Sequence, residues 1–237
     1  MVRLLELSAG LCLGYAIATL AESFLHKHIG HASPKLRKFW QRHPLFFQSF
    51  SKAFYGHHVV HHGLTFPDFV TQFREPVESS KASVDANILE EAQNHFHDPK
   101  LPAWIEASEY GLSVSTRAVP YFVGPVVPLV PVIYLIFGLW VTLGAIIPLL
   151  IVYPLMSKSF HPLLHLYPKV MQKGPLYQRR LLNLRVVRKI LVAHYLHHKY
   201  VMCNFNLIPG GDWILGAIRK PSPKDRETMK KLGLPVD

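Results

Sequence analysis

AVPYFVGPVVPLVPVIYLIFGLWVTLGAIIPLLIVYPLM, residues 118–156, carries no charged side chain along its whole length. At a helical rise of about 1.5 Å per residue it is long enough for two bilayer crossings, joined near Phe137 to Trp140. Its prolines, at 120, 125, 128, 131, 148 and 154, argue against one straight helix but are tolerated in a membrane hairpin. A second apolar run, Leu4 to Leu25, has only Glu6 and Glu22 as charged residues and matches one further crossing. We read it as a span rather than a cleaved leader. It lacks a small-residue cleavage site and leads straight into a histidine cluster that cleavage would detach.

Charge placement orients these spans. The chain carries 26 Lys and Arg against 15 Asp and Glu, yet Arg3 is the only basic residue before the first run and none falls between Ala118 and Ser157. The remainder lie from Lys27 to Arg117 and from Lys158 onward, so the positive-inside rule makes both regions cytoplasmic. Three crossings then leave the N-terminus outside and the C-terminus inside. The net charge of +11 fits anionic headgroups better than nucleic acid, because no helix-turn-helix, RRM or zinc-finger pattern accompanies it. No nucleic-acid partner is expected.

Both cytoplasmic regions are rich in histidine. Ten of the 15 fall into four clusters: His26 and His31; His58, His61 and His62; His161 and His165; His194, His197 and His198. Residues three and four apart share a helix face, so HVVHH (58–62), HPLLH (161–165) and HYLHH (194–198) each project imidazoles from one stripe. His26 and His31, five apart, require the helix to end or bend, with Gly30 as the place for it. Imidazole is a good ligand for iron, copper or zinc and a poor core filler, so the pattern points to a polynuclear metal site. A structural zinc site needs about four ligands and usually cysteine, whereas only Cys12 and Cys203 are present. Ten imidazoles suffice for two metals. His28, His43, His57, His95 and His97 lack or duplicate a partner set and are read as supporting or surface residues, although His57 stands i, i+4 from His61.

The rest reads as one catalytic layer, residues 1–220, with a charged, aperiodic surface tail over 221–237. Within residues 32–56, Phe39, Trp40, Phe46 and Phe47 suit either headgroup depth or packing against the soluble layer. There is no phosphate-binding glycine loop and no nucleophile elbow.

The ordered set His26-x4-His31, His58-xx-His61-His62, His161-x3-His165 and His194-xx-His197-His198 resembles the histidine boxes of the fatty acid hydroxylase/sterol desaturase superfamily. Glu22 precedes the first box by four. GLTFPDFVTQFREP follows the second box and NFNLIPGGDWILG the fourth, both similar to family segments. The resemblance spans about residues 12–218. Gly30 stands where an aromatic is common, His28 is additional, and Asp212-Trp213 reverses the frequent order.

The resemblance implies an all-α integral membrane bundle of about three transmembrane helices under a histidine-rich cytosolic catalytic cap. It implies two iron ions in a non-haem di-iron centre, with zinc as a possible substitute. The expected activity is O2-dependent hydroxylation of a lipid or fatty acyl chain. Desaturation, sterol or carotenoid oxidation, a non-oxidative zinc enzyme and a metal-storing or metal-sensing protein are the alternatives. The short run before the first box leaves no room for a fused haem domain, so a separate cytochrome b5 or ferredoxin with its reductase is the expected electron donor. Glu22, Asp68, Asn204 and Asp212 are candidates to orient imidazoles by accepting their free N–H groups.

Overall fold

The structure, a computed structural model, describes residues 1–66, 69–70, 124–152 and 155–236. Among these every regular element is helical. Helix α1 (Val2–Leu25) runs without interruption into a π-helical turn, π1 (His26–Gly30). Together they form the one described helix long and apolar enough to cross a bilayer, Val2–Gly30. Helices α2 (Pro34–Arg42) and α3 (Pro44–Phe54) follow, and α3 continues into a second wide-turned segment, π2 (Tyr55–Thr65). Ser33 starts α2 by accepting from the Leu36 amide at 3.4 Å, with Pro34 in the first turn, where no amide is needed. Trp40 packs into the protein, whereas Phe39 and Phe46 are exposed.

The long apolar run folds as α4 (Leu129–Phe137) and α5 (Leu139–Ile146), the latter extended by π3 (Ile147–Val152). Gly138, with φ +80°, separates them within the stretch where a hairpin turn is expected. The described part of each arm is shorter than a full crossing. Leu129–Phe137 rises about 14 Å and Leu139–Val152 about 21 Å, each less than the roughly 20 residues of a straight crossing. Residues 118–123 and 153–154 of that run lie outside the described residues.

Helix α1 packs along α5 through small residues. A Cβ added at Gly10 would fall on the Val141 carbonyl, one at Gly14 on Ala145, and one at Gly144 on the Leu7 carbonyl. Gly10, Gly14 and Ala18 are four apart, the spacing that lets two helix backbones approach where apolar burial drives association weakly.

The remaining elements are π4 (Met156–Phe160), α6 (His161–His165), α7 (Tyr167–Lys173), α8 (Leu176–Leu182), α9 (Arg185–Tyr200), α10 (Gly211–Ile214) and α11 (Pro223–Lys231). Leu164, Leu182, Leu191, Leu196 and Met229 are fully buried in one core that joins α6, α8, α9 and α11. The C-terminal segment is therefore not the surface tail its charge suggested. Helix α11 opens with a capping box between Ser222 and Asp225, and it sinks Met229 while Leu234 follows into the same core. Asp225, completely buried, accepts from Lys199 Nζ at 2.6 Å and Tyr200 Oη at 2.9 Å at the end of α9.

Candidate metal centre

Two groups of five imidazoles converge. Nitrogens of His26, His31, His57, His62 and His197 lie within 4.8 Å of one another, as do those of His61, His161, His165, His194 and His198. Nine of the ten histidines singled out by spacing fall into these groups; His58 does not, and His57 does. His58 sits behind the first group, its Nδ1 2.9 Å from Nδ1 of His31, with its ring stacked on Phe54.

The π-helical winding explains the exchange. A helix with i→i+5 hydrogen bonds brings residues five apart onto one face, where an α-helix brings three and four. In π1 the His31 amide bonds the His26 carbonyl at 3.0 Å, so the awkward five-residue spacing becomes a neighbouring pair and the chain need not bend. In π2 the same spacing pairs His57 with His62, their Nε2 atoms 3.1 Å apart. His61 is left to face the other group. Helix α9, with regular α winding, divides its histidines in the complementary way: His194 and His198 join the second group and His197 the first. Each of these two elements thus serves both groups, and His62 and His198, one from each, stack with ring centroids 4.0 Å apart.

The nitrogen spacings suit a metal ion. In the first group, Nε2 contacts close a four-membered ring: His31 to His57 at 3.1 Å, His57 to His62 at 3.1 Å, His62 to His197 at 3.2 Å and His197 to His31 at 3.1 Å. A square of that edge has its centre about 2.2 Å from each corner, close to a metal–imidazole bond. His26 adds a fifth Nε2, 2.7 Å from that of His57. In the second group, His161, His165 and His194 form a triangle with edges of 2.8, 3.1 and 3.2 Å, and His61 and His198 approach to 3.2 Å.

Hydrogen bonds behind the rings fix the tautomers. Nδ1 of His26 donates to the Phe205 carbonyl at 2.6 Å and Nδ1 of His197 to the Cys203 carbonyl at 2.8 Å. Nδ1 of His165 donates to the Phe69 carbonyl at 2.7 Å, and that of His198 points to the Phe66 carbonyl at 3.4 Å. A carbonyl only accepts, so Nδ1 carries the proton and Nε2 presents a bare lone pair to the centre. Lone pairs so crowded repel one another unless a cation lies between them. Burial, and then the neighbouring imidazoles, push His31, His57, His62, His161, His194 and His198 well below the usual histidine range. Burial brings His165 down to about 3 against the opposing Phe69 carbonyl. These seven rings are therefore neutral at pH 7, the form that ligates metal.

Of the carboxylate and amide candidates, none described makes the direct imidazole contact expected of it. Glu22 accepts from the amides of Leu207 and Ile208 at 3.0 Å and from Asn206 Nδ2 at 3.1 Å. Asp212 accepts from Ser23 Oγ and the Asn206 amide, both at 2.8 Å. Asn204, held at φ +50°, exchanges two hydrogen bonds with the Arg219 backbone. Asp68 lies outside the described residues, as do His95 and His97. The three described residues brace the 203–212 loop, and that loop delivers the Cys203 and Phe205 carbonyls to His197 and His26. A carbonyl reaches a buried N–H without the desolvation of a full charge, which is why backbone rather than carboxylate lies against the rings.

Aromatic rings close the site: Phe66 stacks on His165 with centroids 3.9 Å apart, Phe69 lies against His165, His194 and His198, and Phe205 against His26 and His197. Comparison of the chain with protein-family models, with curated proteins and with solved structures found no match.

Proposed function

We propose that the chain is a membrane-bound, dinuclear non-haem iron oxygenase that hydroxylates a lipid or fatty acyl chain. The observation that carries this reading is the pair of five-imidazole groups set side by side at the end of a bilayer-length apolar helix. Five nitrogen ligands exceed what a structural zinc takes and leave one octahedral position for an exogenous ligand. Iron bound there would supply O2 activation, so that O2, a C–H bond, two electrons and two protons yield an alcohol and water.

The chain's own residues do the rest. The ten histidines bind, the Cys203, Phe205, Phe66 and Phe69 carbonyls orient, and the Phe66, Phe69 and Phe205 rings exclude water. Exposed apolar residues on α1, α4 and α5, among them Leu11, Leu135, Ile136 and Leu143, suit a lipid surface from which a greasy substrate arrives. We place the spans in a multi-pass arrangement with the histidines on the cytoplasmic face, and the electrons with a separate cytochrome b5 or ferredoxin and its reductase.

The test is lipid mass spectrometry of membranes from cells expressing the parent chain or His197→Ala, with a donor system and 18O2. A parent-only lipid heavier by one labelled oxygen supports the reading. Loss of two hydrogens without label would make the enzyme a desaturase, and turnover that persists without O2 would replace oxygenation with non-oxidative zinc chemistry.

A further inference from the structure

Residues 209–218 lie beside α1 at a depth where, on the bilayer-crossing reading of α1, there is hydrocarbon rather than water. The Tyr15 hydroxyl donates to the Pro209 carbonyl, and the Thr19 hydroxyl donates to the Ile208 carbonyl at 2.6 Å while accepting from the Gly211 amide at 2.7 Å. Gly211 rests directly on α1, since a Cβ there would meet the Thr19 carbonyl. Tyr15 precedes His26 by eleven residues, about 16 Å along the helix, roughly half of a hydrocarbon core about 30 Å thick. The outer surface of the segment is apolar. Trp213 is 77% exposed and Ile214 57%, Leu215 and Ile218 are exposed with them, and no charge falls between the buried Asp212 and Arg219.

Irregular backbone survives at that depth only if its polar groups are satisfied within the protein. Here they are. Every amide from Gly211 to Ala217 donates to a protein acceptor: Gly211 to Thr19, Asp212 to Asn206 Oδ1, and Trp213, Ile214, Leu215, Gly216 and Ala217 to carbonyls of residues 210–213. Within the segment, Asp212 is spent on Ser23 and the Asn206 amide. Arg219 and Lys220 follow at once, placed to meet headgroups as the chain leaves.

We propose that residues 209–218 form a wedge inserted into the histidine-side leaflet, with Trp213, Ile214, Leu215 and Ile218 in contact with lipid. The exposed face is continuous with the lipid-facing side of α1, where Leu11 and Tyr15 are also exposed, so a bilayer is the occupant that covers both. The proposal rests on α1 crossing the membrane, and the test separates the two.

Tryptophan fluorescence is recorded for the full chain, Trp213→Phe and Trp140→Phe in phosphatidylcholine vesicles with acyl chains brominated at defined depths, and with acrylamide in the water. Subtraction isolates Trp213 and, on α5, Trp140. The wedge requires that bromolipid quench Trp213, most strongly with bromines in the upper half of the chain, and that acrylamide have little effect. Acrylamide quenching of Trp213 while bromolipid quenches Trp140 would overturn the wedge alone. If bromolipid quenched neither, the membrane reading would fall and the wedge with it. Ile214→Cys in a Cys12→Ser background, carrying a polarity-sensitive dye, gives an independent reading: apolar emission supports insertion and water-like emission contradicts it.

Discussion

His57 and His62 face one centre because π2 brings residues five apart onto one face, and this puts His57, rather than His58, in the first group. His57→Ala is expected to lose one bound ion per chain, while His58→Ala, whose ring only backs His31, keeps both; metal analysis of the purified variants decides it. Glu22→Gln replaces one of the two carboxyl oxygens that collect the Leu207 and Ile208 amides with a donor and loosens the loop that holds His26 and His197. We expect faster chelator extraction from the first group only, by about tenfold, the usual range for a residue that orients a ligand. The i, i+4 pairs His161/His165 and His194/His198 were legible in the sequence because those helices are α-wound. The His57 pairing was not, although its five-residue spacing repeats that of His26 and His31. Backbone carbonyls carry no residue identity, so their role behind the rings could not be read at all.

At the scale of elements, the helix starts at Ser33-Pro34 and Ser222-Pro223 follow from capping chemistry. Helix α11 reads as polar because only Met229 and Asp225 turn inward, and two buried side chains are too few to produce a visible period. Met229→Ala is expected to cost about 2–5 kcal/mol of stability, read by urea unfolding in detergent. Burial raises the Asp225 carboxyl, but Lys199, the Ser222 hydroxyl and amide, and Tyr200 outweigh it and hold it well below the usual carboxylate range. A carboxyl depressed in the folded state stabilises fully above its unfolded value, about pH 4, and less as pH falls through the folded value. The stability gap between the parent and Asp225→Asn should therefore be widest near neutrality and narrow below about pH 4. A gap independent of pH would show that Asp225 acts only by packing. Gly10→Leu should separate α1 from α5 and lower the unfolding midpoint, since the Val141 carbonyl leaves no space for a side chain.

Across the whole molecule, one helix delivers His26 and His31 from an apolar rod, a second divides its histidines between two groups, and a C-terminal helix locks the end of that second helix through Asp225. The sequence conveyed the all-helical character and the apolar α1. The break in the second apolar run was legible too, since Gly138 falls within the stretch from Phe137 to Trp140 where the join is expected, whereas the wide winding at Ile147–Val152 leaves no mark in composition. The central claim is that ten histidines hold two ions, five to each. The most direct test is the iron content of the folded, reconstituted chain, measured with protein concentration by amino-acid analysis. Two irons per chain are expected, whereas a folded chain that saturates at one, or binds none, would contradict the account.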